Sequence, residues 1–237
     1  MKRALLLILV LFLNCEDKKS PPKIKEQVIK SETVDAVPDE VETKTSDEPK
    51  EEEFPLLTKD NAMDFFLEYE KTNKENKVRL TTDFGEIDIL LFDKTKFHRA
   101  NFIYLTKRDY FSNTQFYRVI DNFMIQAGST DDPKVMRKRR KIGKYLLPKD
   151  TKRGYKHDRG TISMPSSEIE NPHKLASPYE FFIVQNPNGE YRLDGDYTVF
   201  GKVIRGMDVV DKIAKVETDD GDWPMKNVYI QKVEIIE

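Results

Sequence analysis

The order of hydrophobic and polar positions divides the chain into four successive patterns. Residues 4–13 are an unbroken apolar run, and the stretch that follows is crowded with Glu, Asp, Lys, Ser, Thr and Pro. Thr58 is a typical N-cap residue, and the apolar residues Met63, Phe66 and Leu67 that follow it recur at helical spacing. In the last and longest pattern, apolar residues alternate with polar ones over short segments. The chain is therefore predicted to contain a leader, a linker, a short amphipathic helix and a mainly β domain.

The β domain is predicted to cover residues 78–237. A hairpin surrounds Asp83-Phe84-Gly85, and Asp121-Asn122 forms the tight turn of a second hairpin. Two segments, residues 96–108 and 207–215, have helical spacing instead. The remaining strands are predicted at residues 160–164, 181–184, 197–204 and 228–235. Roughly eight short strands with two helices favour a closed antiparallel barrel, which leaves no free strand edges.

The N-terminal apolar run predicts a processed leader. Lys2 and Arg3 precede it, and a run this short cannot span a hydrocarbon core of about 30 Å. The run stops at Asn14-Cys15, and this arrangement resembles a bacterial lipoprotein signal, in which the cysteine becomes the lipidated N-terminus. Residues 1–14 would then be a signal peptide, and Cys15 would anchor the protein to a membrane of the cell envelope, with its domain outside the cytoplasm. The alternative is a secretory signal followed by an incidental cysteine.

The segment between the leader and the helix is predicted to be a disordered, charged linker. Residues 15–57 have only isolated apolar positions, so they cannot bury enough apolar area to offset the entropy lost on ordering. We interpret the linker as a tether; an acidic recognition tail is the alternative. Residues 58–77 hold the short helix and a connector. The helix is expected either to pack on the barrel by its apolar face or to extend the linker.

Composition limits the remaining function classes. The net charge is -2, but basic residues concentrate in residues 131–158, which we predict to be a long solvated loop. A nucleic-acid site would need interleaved aromatic side chains, and only Tyr145 and Tyr155 lie there, so no nucleic-acid partner is expected. The single cysteine excludes an internal disulfide, and the three histidines lack ligand spacing, so no metal site is predicted.

Arg118 is the residue with the clearest chemical potential. It lies in an apolar strand with no acidic neighbour in sequence, and a guanidinium is almost never buried unpaired. It either turns outward to water or lies at the edge of an apolar pocket that can receive an acceptor. Composition alone favours the outward position, because arginine side chains are mostly exposed.

Four blocks of sequence resemble the cyclophilins, a family of barrel-shaped peptidyl-prolyl cis-trans isomerases. The blocks occur in the family's order and spread over about a hundred residues. They are Phe-Tyr-Arg-Val-Ile at 116–120 with Phe-Met-Ile-Gln-Ala-Gly at 123–128, Gly-Thr-Ile-Ser-Met at 160–164, Glu-Phe-Phe-Ile at 180–183, and Leu-Asp-Gly-Asp-Tyr-Thr-Val-Phe-Gly at 193–201. The resemblance implies a closed eight-stranded antiparallel barrel capped by two α-helices, to which this chain adds the N-terminal helix.

The resemblance also implies a site. Arg118 matches the catalytic arginine of the family, and Gln126 matches the amide that binds the substrate backbone. The apolar proline pocket of the family is matched by Phe123, Met124, Phe182 and Leu193.

Several positions at the rim of this site depart from the pattern of the best-known members. Tyr117 and Tyr197 replace histidines, Arg192 stands where a tryptophan often lies, and Pro165-Ser166 take the place of an Ala-Asn pair. Glu180 stands where a glutamine is usual. Its carboxylate could pair with Arg118 and orient it, or compete with substrate for its donors.

Two hypotheses follow from these residues. The first is an isomerase that needs no cofactor, acts as a monomer, and accelerates X-Pro isomerisation in exported or envelope polypeptides. The second is a non-catalytic module on the same barrel that binds proline-containing segments, and the altered rim residues motivate it.

Overall fold

The computed structural model describes residues 54–166 and 171–237, so the predicted signal peptide, Cys15 and most of the predicted linker lie outside the described residues. The described residues belong to one compact unit. Its elements in chain order are β1 (Leu57–Thr58), α1 (Ala62–Thr72), β2 (Lys77–Thr82), β3 (Gly85–Leu91), α2 (Lys96–Lys107), β4 (Thr114–Ile120), β5 (Met124–Ser129), α3 (Pro133–Ile142), β6 (Gly143–Lys144), β7 (Thr161–Ser163), β8 (Phe181–Val184), β9 (Val199–Arg205), α4 (Met207–Ala214) and β10 (Val228–Ile235).

Eight of these strands close into an antiparallel barrel in the order β10-β2-β3-β9-β7-β8-β5-β4. The alternation of apolar and polar residues in the sequence produces this barrel. In β2, for example, every second side chain points into the barrel and is buried. Both predicted hairpins are present: Thr82 pairs with Gly85, and Ile120 pairs with Met124. The prediction of a mainly β, closed eight-stranded barrel is confirmed.

Helices α2 and α4 pack on the barrel as predicted. Helix α2 buries Phe102, Ile103 and Leu105, and α4 buries Val210 and Ile213. The turn into α4 requires glycine: Gly206 has φ of 92°, and a Cβ atom there would lie 2.2 Å from the carbonyl oxygen of Glu86.

The N-terminal helix packs on the barrel unit, but not by the whole face that was predicted. Phe66 and Tyr69 of α1 are buried against the ring of Tyr104 in α2, whereas Leu67 is exposed. The helix begins after Asn61 rather than after Thr58. Leu57, expected at the end of the linker, is fully buried in β1, which pairs in parallel with β6.

The prediction of an unbroken basic loop at residues 131–158 is wrong. Residues 133–142 form helix α3: the Asp132 carboxylate accepts a 2.6 Å hydrogen bond from the backbone N–H of Lys134, and Pro133 occupies the first turn. Val135 and Ile142 are buried beneath the helix, and the run of cations between them masks this apolar spacing in the sequence.

The buried apolar side chains of the described residues form two separate clusters. The larger fills the barrel and the space beneath its helices, and includes Phe181 and Ile183 of β8. The alternate residues of the same strand, Phe182 and Val184, belong to a second cluster with Met124. Because strand residues alternate between faces, this second cluster lies on the outside of the barrel wall. Within residues 54–166 and 171–237, no helix is both long and apolar enough to cross a membrane.

Candidate functional site

The outer face of three neighbouring strands brings the main predicted site residues into one row. Arg118 of β4 pairs with Gln126 of β5, and Gln126 pairs with Phe182 of β8. Residues directly opposite each other on neighbouring antiparallel strands have Cβ atoms about 4.5–5.5 Å apart. The barrel wall therefore places a guanidinium, an amide and an aromatic ring side by side.

A cavity of about 260 Å³ opens in front of this row. Its floor is apolar, since Met124 and Phe182 are buried, and the ring of Tyr197 meets Phe182 edge-on at 5.9 Å. Nine of the eleven site residues predicted for the domain line it together: Arg118, Phe123, Met124, Gln126, Pro165, Ser166, Phe182, Leu193 and Tyr197.

The other two predicted residues lie beside the cavity rather than in its wall. Arg192 lines a wider hollow of about 630 Å³ that shares Arg118, Phe123 and Leu193 with the cavity. Its guanidinium stacks 4.6 Å from the centre of the Phe123 ring, while its Nε donates to Glu190 at 2.9 Å. Arg192 thus covers the outer face of Phe123 at the rim.

Arg118 is held by a partner that the sequence did not reveal. Its Nε donates to Oδ2 of Asp222 at 3.2 Å, and the two side chains are 44% and 39% exposed. The loop that carries Asp222 is fixed to the same strand, because the backbone N–H of Val119 donates to the Asp222 carbonyl at 2.8 Å. Among the described residues, no other acceptor is bonded to the Arg118 guanidinium. Its two terminal nitrogens can therefore donate toward a ligand in the cavity.

Glu180 does not pair with Arg118. It was expected either to orient Arg118 or to compete with substrate for its donors, but it contacts Tyr117 instead. Its carboxylate accepts a 3.1 Å hydrogen bond from the Tyr117 hydroxyl, whose oxygen in turn accepts from the side-chain amide of Gln126. Burial and the Glu180 charge raise the pKa of Tyr117 well above its usual value, so the phenol stays neutral and keeps donating. The chain of contacts fixes the Gln126 amide group, and no hydrogen bond among the described residues occupies its side-chain carbonyl oxygen.

A buried histidine supports the floor from behind. The His157 ring lies parallel to Phe182, and it contacts Asp194 through Nδ1 at 2.7 Å and the Ser163 hydroxyl through Nε2 at 3.0 Å. Burial lowers the pKa of His157. These contacts tie the loop bearing Leu193 to the barrel wall. His157 is thus a hydrogen-bonded structural histidine.

Sequence reasoning missed Asp222 and its neighbour Trp223, whose exposed ring lies 5.9 Å from that of Tyr117. Both come from a loop about a hundred positions beyond the strand that they flank. Only the cluster of turn-forming residues around Gly221 indicated a loop there.

A closed barrel with an outer apolar cavity, an arginine at its lip and a fixed amide beside it defines a peptide-binding barrel suited to a proline ring. Comparison with known proteins agrees. A family model described as cyclophilin type peptidyl-prolyl cis-trans isomerase/CLD matches residues 77–235. The chain belongs to this family, and its class of activity is peptidyl-prolyl cis-trans isomerisation.

Individual relatives support the same assignment. A peptidyl-prolyl cis-trans isomerase of Acinetobacter baylyi is 37% identical over 163 residues, which is 67% of this chain and 82% of the relative. Peptidyl-prolyl cis-trans isomerase-like 2 of Rhizopus delemar is 35% identical over 70% of this chain, and the match spans 30% of that longer protein.

A solved structure is also similar. The cyclophilin type peptidyl-prolyl cis-trans isomerase of Cryptosporidium parvum, in the presence of the dipeptide Ala-Pro, has a TM-score of 0.55 and 26% identity. The similarity covers 68% of this chain and 99% of the Cryptosporidium chain.

Proposed function

We propose that this chain isomerises X-Pro bonds in exported or envelope polypeptides, with Arg118 as the catalytic residue. The observation that carries this is the position of the Arg118 guanidinium at the lip of an apolar cavity of about 260 Å³, with Gln126 next to it. The remaining cavity residues bind the proline ring and the backbone on either side of it.

The chemistry requires neither a nucleophile nor proton transfer. Amide resonance sets a barrier of about 18–20 kcal/mol to rotation, and the barrier falls when the prolyl nitrogen becomes pyramidal and regains its lone pair. A cationic donor aimed at that nitrogen binds the twisted state more strongly than either planar state. Arg118 suits this because a guanidinium stays charged at every relevant pH and has a planar donor geometry.

The partners of the site preorganise it. Asp222 takes the Nε donor of Arg118 and so restricts the orientation of the guanidinium plane. Tyr117 and Glu180 hold the amide of Gln126, which can then accept a backbone N–H of the substrate. Met124 and Phe182 exclude water from the ring of the bound proline, which strengthens the contact between Arg118 and the prolyl nitrogen.

The cellular setting rests on the sequence. The apolar run of residues 4–13, with Lys2 and Arg3 before it and Cys15 soon after it, supports a lipid anchor to a membrane of the cell envelope. Loss of the protein from the membrane fraction in a Cys15→Ser variant tests this proposal. Retention of that variant in the membrane fraction would contradict the anchor.

The catalytic proposal is tested by proline-limited refolding of a substrate protein. Arg118→Ala is expected to lower kcat/KM by roughly 10²–10³, the usual loss on removing one well-placed charged donor. Arg153→Ala is the matched control, because Arg153 is also half exposed and ion-paired, with Asp150, but lies outside the cavity lining.

The alternative is a non-catalytic module that binds proline-containing segments. It is favoured by the ion pair that occupies Arg118 and by Arg192 at the rim. Refolding no faster than the blank in both wild type and Arg118→Ala, with peptide binding retained, would establish this alternative and overturn catalysis.

A further inference from the structure

A second, larger concavity lies between α1, α3 and the segment after β6. It has a volume of about 1080 Å³, and we call it the basic-rimmed groove. Three of its apolar side chains are well exposed: Leu56 at 57%, Met136 at 36% and Leu146 at 41%. The other apolar lining residues are Leu57, Met63, Tyr145, Pro148, Leu175 and Tyr179. Exposed apolar area of this kind, surrounded by polar side chains, is typical of an interaction site.

The rim of the groove is cationic. Lys59, Arg139, Arg140 and Lys144 line it, and none of the described lining residues is acidic. Helix α3 adds to this charge, since six of its ten residues are basic and none is acidic. Arg139 lies over the Tyr179 ring at 4.6 Å, while Lys59, Arg140 and Lys144 have no ion-pair partner among residues 54–166 and 171–237. An occupant that carries negative charge beside apolar side chains would complement both features.

The groove is separate from the isomerase cavity, but both border the segment of residues 174–180. Leu175 lines the groove, and the preceding residue, Lys174, lines the hollow beside Arg192. Likewise Tyr179 lines the groove, and Glu180 contacts Tyr117 behind Gln126. Neighbouring residues lie about 3.8 Å apart at their Cα atoms, so one extended polypeptide can reach both sites.

The groove also depends on residues outside the region that matches the family. Leu56, Leu57, Lys59 and Met63 precede residue 77, where that match begins. They are held in place because β1 pairs with β6 and Phe66 of α1 is fully buried. The extra N-terminal elements thus form one wall of the groove.

We propose that the basic-rimmed groove binds an apolar segment flanked by acidic residues in an unfolded polypeptide, as a second site for the client whose X-Pro bond enters the cavity. The link to isomerisation rests on the proposed function. A concave, apolar site with a charged rim suits a polypeptide segment better than a bilayer, which requires a flat or protruding apolar surface. Two sites on one client make the second binding event intramolecular, and this raises the occupancy of the proline cavity.

The first experiment measures binding without proline. The protein is residues 16–237, which contain the whole compact unit and its core. The probe is a fluorescein-labelled, proline-free peptide with a Leu-Val-Leu centre and glutamates at both ends, followed by fluorescence polarisation. Combined Arg140→Glu and Lys144→Glu substitutions should weaken binding roughly tenfold, because two favourable charge contacts become repulsive.

Lys134→Glu with Arg137→Glu is the matched control, since both residues are exposed on α3 and outside the groove lining. The control should bind the probe nearly as well as wild type. Equal weakening by both double variants would mean unspecific attraction and would overturn the proposal. A peptide with lysines at its ends should bind much more weakly; equal binding would also overturn it. Binding to phosphatidylglycerol vesicles that depends on Arg140 and Lys144, without binding of the probe, would assign the groove to a membrane instead.

The second experiment measures the coupling of the two sites. Two substrates are compared: a proline substrate that carries the acidic-apolar segment, and the same substrate without it. In wild type, kcat/KM should be higher for the substrate with the segment, so the ratio of the two values should exceed one. It should fall toward one in the Arg140→Glu, Lys144→Glu variant. A ratio of one in wild type would overturn the coupling. Peptide binding with no turnover of either substrate would leave the groove established and contradict only the isomerase proposal.

Discussion

Replacing Asp222 with asparagine tests whether the ion pair of Arg118 serves catalysis. Asparagine keeps the size of the side chain and tolerates the left-handed backbone at this position, where φ is 64°. The bond from the Val119 N–H to the residue's backbone carbonyl does not depend on the side chain, so the loop should stay in place. The substitution therefore removes the carboxylate charge and little else.

The expected magnitude follows from the exposure of the pair. Both side chains are about two-fifths exposed, so solvent screens their attraction, and such pairs are worth about 0.2–1 kcal/mol. If that free energy orients the guanidinium, its loss lowers kcat/KM by up to roughly fivefold. The effect should appear in kcat rather than KM, because the contact between Arg118 and the prolyl nitrogen is made only in the twisted state.

The assay is proline-limited refolding at low and high salt. High salt should reduce the difference between wild type and Asp222→Asn, because screening weakens the pair in wild type. Asp220→Asn, in the same loop and with the same charge change, should leave the rate near that of wild type. A rate for Asp222→Asn equal to or above wild type would refute the reasoning: Asp222 would then compete with substrate for Arg118 rather than orient it.

Local patterns predicted the barrel because its strands are specified by local alternation. In β2 the buried residues recur at every second position, and the turn at Asp83-Phe84-Gly85 separates it from β3. Helix α3 was missed because its two buried residues, Val135 and Ile142, are masked by a run of cations.

The lining of the cavity was predicted through resemblance, and its electrostatics were not. Arg118 and Gln126 meet because their strands pair, which the hairpin motif already implied. The partner of Arg118 is Asp222, from a loop whose approach depends on the closure of the barrel. Short-range patterns carry no information about such a contact. For the same reason the sequence predicted that Glu180 would either pair with Arg118 or compete for its donors, whereas the Glu180 carboxylate accepts a hydrogen bond from Tyr117.

Two further predictions concern polar side chains, one half-buried and one fully buried. Tyr117→Phe removes the hydroxyl between Gln126 and Glu180, and the lost hydrogen bonds cost about 1 kcal/mol of the free energy that positions the Gln126 amide. The value of kcat/KM in the refolding assay should therefore fall roughly fivefold. An unchanged rate would show that Gln126 needs no support from Tyr117. His98 is fully buried, and neither ring nitrogen has a hydrogen-bond partner among the described residues, so burial lowers its pKa from 6.5 to about 3. Because the unfolded chain binds this proton more readily, the free energy of unfolding should be unaffected by His98 above about pH 6.5 and should decline as the pH falls toward 3. By about pH 4.5 the loss should reach roughly 3 kcal/mol relative to neutral pH, at about 1.36 kcal/mol per pKa unit. Urea unfolding across this pH range should therefore show a shallower acid decline for His98→Leu than for wild type, and parallel curves would mean that His98 takes up its proton in the folded state.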